Sequence, residues 1–229
     1  MFGAFIYGSN NRPSLTYSLP MLANLAKIMV HPRPTMRRIL DAGRDRLGLL
    51  IVILASYSAM FGDLEKSEMS ALRRQQEIPF ALIVIGLFVA VPLFGLLVYY
   101  LFSWVAYAIG RALEGTGKPA QVRSAAAWGL APVVWALLYR LPASLFFAGS
   151  EAVKVWKHLS VDTGRFGSGC IAIVIFGALE LTTLIWCITV SSNTIAEAHG
   201  FSSWRGLATF LLTAITPAIL LIAGVLAAN

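Results

Sequence analysis

Between Glu77 and Arg111 the chain runs for 33 residues, Ile78 to Gly110, without an Asp, Glu, Lys, Arg or His. As a helix this stretch would be roughly 50 Å long, against a hydrocarbon core of about 30 Å. No soluble domain needs such a run, so it is read as crossing a membrane.

Four further apolar runs are read as spans packed around it. Leu47–Gly62 is a short first span, with Arg44 and Arg46 snorkelling at its start. Pro92 kinks the second span, 79–110, and Tyr99, Tyr100, Trp104 and Tyr107 form an interfacial belt on its later half. The third, 124–150, is broken by Pro132, Arg140 and Pro142. The fourth, 168–192, carries one charge, Glu180, and Gly200 follows as a helix stop. The fifth, 206–228, has none. The predicted fold is all-α: a polytopic bundle of five transmembrane helices over residues 47–229, preceded by a segment, 1–46, with short amphipathic interfacial helices.

Within that segment Met21, Leu22, Leu25, Ile28 and Met29 recur on one helical face. His31-Pro32-Arg33-Pro34 ends the helix, because proline disfavours α geometry before it. A second helix, Thr35 to Arg46, sets Met36, Ile39 and Leu40 opposite Arg37, Arg38, Arg44 and Arg46. Both are expected to rest in the interface with basic residues toward head groups. Packing of the first against the bundle fits its pattern equally well.

Composition agrees. Of 229 residues 58% are apolar and 13% charged, against about 25% charged in soluble chains, and the mean hydropathy is +0.74. The net charge of +7 sits mostly beside the spans, where it orients the chain and meets anionic lipid, so nucleic acid is not an expected partner. Counted by loop, Lys and Arg favour a cytoplasmic N-terminus and an outside C-terminus, eleven against six. The excess of Arg over Lys hints at a GC-rich bacterial source. No basic region precedes an apolar core of signal-peptide length at the start, so no cleaved leader is expected.

Candidate chemistry is sparse. Gly115-Thr-Gly-Lys118 lacks the first glycine and the final Ser or Thr of a phosphate-binding loop, and reads as a tight turn. Gly164, Gly167 and Gly169 lack the dinucleotide order. Cys170 and Cys187 stand about 25 Å apart along one helix and cannot pair within it. The histidines, at 31, 158 and 199, form no hydrolytic or metal set, so neither an enzyme nor a cofactor or metal is expected. Arg140 and Glu180 are the informative polar residues, since each costs a few kcal/mol in a bilayer if unpartnered. They differ by about 8 Å in depth, within an arginine's reach. A buried pair, a protonated Glu180 bonded to Thr182 or Thr183, and a proton- or solute-handling site are all open. Gly86/Ala90, Ala106/Gly110 and Ala125/Gly129 allow close helix approach.

The layout has a familiar form. Pro32-Arg-Pro-Thr-Met-Arg-Arg-Ile-Leu40 leads into the first span, a short Gly-rich basic loop follows the second, the third holds Trp128-x-x-x-Pro132, and Gly200-Phe-Ser-Ser-Trp-Arg205 precedes the last. Over residues 28–228 this resembles bacterial members of the Yip family, named for Ypt/Rab-interacting proteins. The aspartate-leucine-tyrosine-glycine-proline motif of eukaryotic members is absent. The resemblance implies a cytosolic N-terminus, five spans and a non-enzymatic role in membrane organisation or partner recruitment.

The expected function is therefore an integral-membrane adaptor or scaffold in a bacterial inner membrane. Its contacts to head groups or an acidic partner would be Arg33, Arg37, Arg38, Arg44 and Arg46. Lys118, Arg123, His199, Trp204 and Arg205 would be contacts in the cytosolic loops. Expected partners are membrane lipids and other membrane or cytosolic proteins, in an oligomeric state the sequence leaves open. The alternative is a small carrier, or a lipid- or solute-handling protein, with an intramembrane site around Arg140 and Glu180.

Overall fold

The computed structural model describes residues 18–42, 47–63, 80–148 and 168–228. The expectations for residues 1–17, for the charged loop after the first span and for the loop at 151–165 lie outside them, as do Arg44 and Arg46. Every regular element among the described residues is helical: α1 (Ser18–Val30), α2 (Pro32–Asp41), α3 (Leu47–Asp63), α4 (Phe80–Ala112), α5 (Pro119–Gly129), α6 (Ala131–Trp135), α7 (Leu137–Ala148), α8 (Ser168–His199) and α9 (Ser203–Ala228).

Three segments are long and apolar enough to cross a membrane on their own: Ile85–Ala112, Val174–His199 and Ser203–Leu220. A fourth is a bent pair, Pro119–Trp135 with Leu137–Ser144, turned by 48°. The bend falls at Ala136, while Pro132, which has no N–H to give the preceding turn, marks the earlier break between α5 and α6 at Leu130. The run expected as the first span coincides with α3, whose 17 residues reach about 26 Å, a little short of a hydrocarbon core. The chain is an integral membrane protein, and its surface follows from that. Phe94, Trp104, Leu138 and Val174 face outward, whereas Ser58, Ser103, Thr194, Thr209 and Thr213 are buried. In a bilayer, tight packing and hydrogen bonds hold helices together, so small and hydroxyl side chains go inside.

The core shows how. Trp128 is buried among Ile51, Val122, Ala125 and Ile195. Ser191 Oγ donates to the Gly129 carbonyl at 3.1 Å, and Thr194 Oγ1 donates to the Ala125 carbonyl at 3.0 Å. A Cβ at Gly129 would stand 2.6 Å from Ser191 Oγ, so α5 and α8 touch through the absence of a side chain. Of the three expected small-residue pairs, those containing Gly129 and Gly110 lie at close approaches, whereas Gly86 faces open space.

α1 and α2 pack on the bundle, the arrangement that the sequence left open for the first of them: Leu25, Ile28 and Met36 are buried in the core cluster. The indoles of Trp186 and Trp135 donate to the Met29 and Leu25 carbonyls at 3.0 and 3.4 Å. Trp186 thereby satisfies one of the carbonyls that a helix end leaves unpaired. The second helix also starts earlier than expected, at Pro32, since proline suits the first turn, where no N–H is needed.

Candidate functional site

The polar residues of the described chain gather in two places. One is inside the bundle. Arg140 Nε donates to Glu180 Oε1 at 2.8 Å and Nη2 to Oε2 at 2.5 Å, a bidentate pair. Arg140 Nη1 also donates to the Ser58 carbonyl at 3.2 Å. Tyr139 and Thr183 share a hydroxyl hydrogen bond of 3.0 Å beside them. Thr182 instead donates to the Ala178 carbonyl of its own helix.

The other is the end where α4 and α8 both terminate. Each finishes in the same six-residue wrap. At α8, Phe201 N–H donates to the Ala196 carbonyl at 2.7 Å and Gly200 N–H to the Glu197 carbonyl at 3.3 Å. At α4, Gly115 N–H donates to the Gly110 carbonyl at 2.8 Å and Glu114 N–H to the Arg111 carbonyl at 3.0 Å. Both are Schellman motifs, which need a left-handed residue at the turn. Gly200 supplies it at φ 72°, and Glu114 adopts φ 68° without a glycine's freedom.

The two ends are joined. Thr116 N–H donates to the His199 carbonyl at 3.1 Å, tying the Gly115–Lys118 turn to the close of α8. Gly110, Gly115 and Gly117 form a cup into which the His199 ring fits, and a Cβ at any of the three would crowd the imidazole. The ring stacks on Phe201 with centroids 5.2 Å apart and 17° between planes. His199 is 1% exposed, and neither ring nitrogen finishes a hydrogen bond among the described residues.

Two helix C-termini side by side concentrate negative partial charge, and cations near them are stabilising. Arginines supply those cations. Arg33 Nη2 donates to the Phe201 carbonyl, and Arg33 Nε lies 4.0 Å from Glu197 Oε2. Arg37 Nε donates to Glu197 Oε1 at 2.6 Å, and Arg111 Nη1 to the Gly115 carbonyl at 3.1 Å. Arg205 sits over the Phe201 ring and 3.9 Å from Glu114.

Several expected contact residues therefore have internal work. Arg33 and Arg37 turn toward Glu197, whose carboxylate is only 11% exposed and needs a counter-charge. His199 is enclosed, not a loop contact, because α8 extends through it. Arg123 lies on α5 instead of in a loop: Pro119 starts that helix, with Gln121 Oε1 accepting from Lys118 N–H at 2.9 Å. Lys118, Arg38, Arg205 and Trp204 stay at the surface, Trp204 at 80% exposure. Arg38 also donates to Thr35 Oγ1 at 3.3 Å.

These joined segments fall within a single family assignment, for a model described as the Yip1 domain matches residues 26–226. The chain belongs to the Yip1 family. The match runs from within α1 to within α9, so the two helix ends, the glycine cup and the Arg140–Glu180 pair all lie inside the Yip1 domain. No curated protein and no solved structure matches the chain.

Proposed function

We propose that this Yip1-family protein is a non-enzymatic adaptor of a bacterial inner membrane, in which α3, α4, the bent α5–α7 unit, α8 and α9 each cross the bilayer. In this reading the N-terminus is cytoplasmic, the C-terminus is outside, and the joined ends of α4 and α8 face the cytosol. The observation that carries the reading is the link from Arg33 and Arg37 on α2 to Glu197 and Phe201. With the Thr116–His199 contact it draws residues from three separate stretches of chain into one fixed surface. Lys118, Arg38 and Trp204 are left on its outside, available to an acidic or amphipathic partner.

The carrier reading needs an intramembrane group free to bind and release. Arg140 and Glu180 instead satisfy each other through two hydrogen bonds, which favours a structural role for the pair. The test is purification of the full chain from its own membranes after mild cross-linking. Proteins that co-purify with wild type and with Glu180→Gln, and are lost with Glu197→Ala, support the adaptor. An equal set for all three, or none, contradicts it.

A further inference from the structure

Two cavities meet at Tyr99, which forms part of the wall of both. The larger, about 970 Å³, runs along α4 from Leu87 to Phe102 and is closed by α3 and by Leu130 and Val133 behind. Its lining is almost wholly aliphatic and aromatic. From Leu87 to Phe102 the helix rises about 22 Å, more than the roughly 15 Å of one leaflet's half of a hydrocarbon core. The smaller, about 310 Å³, lies at the α5 end of Tyr99 and is lined by Tyr100, Gln121 and Arg123 together with the ends of α2 and α3. None of its lining residues is acidic, and Ala120 in its wall belongs to the first turn of α5, where helix N–H groups give positive partial charge.

A long apolar slot that ends in a small basic, hydroxyl-rich chamber has the shape of a phospholipid. We infer that the protein holds one anionic glycerophospholipid here, an acyl chain lying between α3 and α4 and the phosphate beside Arg123 and Gln121. A second copy of the chain fits less well. Packing of one α4 on another would set apolar surface in the slot but bring no anion to Arg123, since Ile78 to Gly110 holds no Asp or Glu. Tyr99 fixes the junction, since its hydroxyl donates to the Arg123 carbonyl at 2.9 Å and holds α4 to α5 where the two chambers join. The inference rests on the proposed crossing of α3 and α4, and on no protein partner.

The test uses the full chain in nanodiscs containing phosphatidylglycerol with a photoactivatable group midway along one acyl chain. Adducts are expected on the inward residues of α3 and α4, such as Val52, Ala55 and Val91, in preference to the lipid-facing Leu181 and Leu184 of α8. Unlabelled phosphatidylglycerol should compete them away, and phosphatidylcholine should not. Arg123→Gln should weaken the competition about tenfold, the loss of one charge-assisted contact. Ala90→Trp, which fills the slot from an exposed position, should remove the adducts without lowering the melting temperature. Uniform labelling of α3, α4 and α8 would overturn the inference while leaving the crossing intact. A dimer cross-link through α4 with no lipid retained would overturn it in favour of self-association. An α3 that takes no label at all would remove the crossing on which it rests.

Discussion

Arg37 Nε donates to Glu197 Oε1 across 2.6 Å, joining two residues 160 positions apart in the chain. That bond turns an N-terminal helix and the end of α8 into one surface. Glu197→Ala should loosen the exposed side of α2, which keeps its Met36 anchor in the core and the Arg33 bond to the Phe201 carbonyl. The expected cost is about 2 kcal/mol, the scale of a hydrogen bond to a charged group, lowered by the exposure of Arg37. Hydrogen exchange at the amides of Thr35 and Met36 should quicken, while that of the Trp128 region stays slow. Unchanged exchange at α2 would mean the bond holds nothing.

His199 and its three glycines couple by shape. Gly110→Ala places a methyl against the imidazole and should lower stability by about 1–3 kcal/mol. Gly86→Ala, with open space around it, should gain up to about 1 kcal/mol from helix propensity. The double variant Gly110→Ala with His199→Ala should lose less than the two single changes together. A thermal-melt cycle over the four proteins checks this, and simple additivity would contradict the cup.

Glu114 sits where its structural twin at α8 has Gly200. Glu114→Gly should therefore stabilise the protein by about 1 kcal/mol, because a left-handed residue with a Cβ is strained and the Arg205 contact it gives up is exposed. Gly200→Ala should cost a similar amount. Melting temperatures that move the same way in both variants would refute the comparison.

The Arg140–Glu180 pair predicts an asymmetric series. Glu180→Ala leaves a largely enclosed guanidinium with Ser58 and the Tyr139 ring but no counter-charge and should cost about 3 kcal/mol. Glu180→Gln keeps an acceptor and should cost less. Replacing both residues by leucine should recover most of the loss. Equal melting temperatures for Glu180→Ala and wild type would show that the pair is not structural.

The hydrophobic pattern made most of the fold legible, because charge-free runs of this length have one physical solution. It could not tell lipid from protein as the neighbour of α1 and α2, since an amphipathic face looks the same against either. The start of α5 was marked by Pro119, a residue suited to the first turn, yet Arg123 four positions on reads as loop when charge alone is followed. The His199 cup was the least legible part. Its glycines at 110, 115 and 117 lie more than 80 positions before the histidine, and no periodicity links them. A usable signal was present: Glu197 and His199 close a membrane-spanning helix directly before Gly200, where burial forces the carboxylate to find a counter-charge.

We propose that the joined ends of α4 and α8 form a partner-binding surface and that the intramembrane pair is structural. The most direct test is a photo-crosslinking amino acid placed in turn at Trp204 and at Glu180 in cells. The expected result is a discrete protein adduct from position 204, lost when Glu197→Ala is added, and no adduct from position 180. A solute or lipid captured at position 180, with nothing at 204, would contradict it and make the protein a carrier.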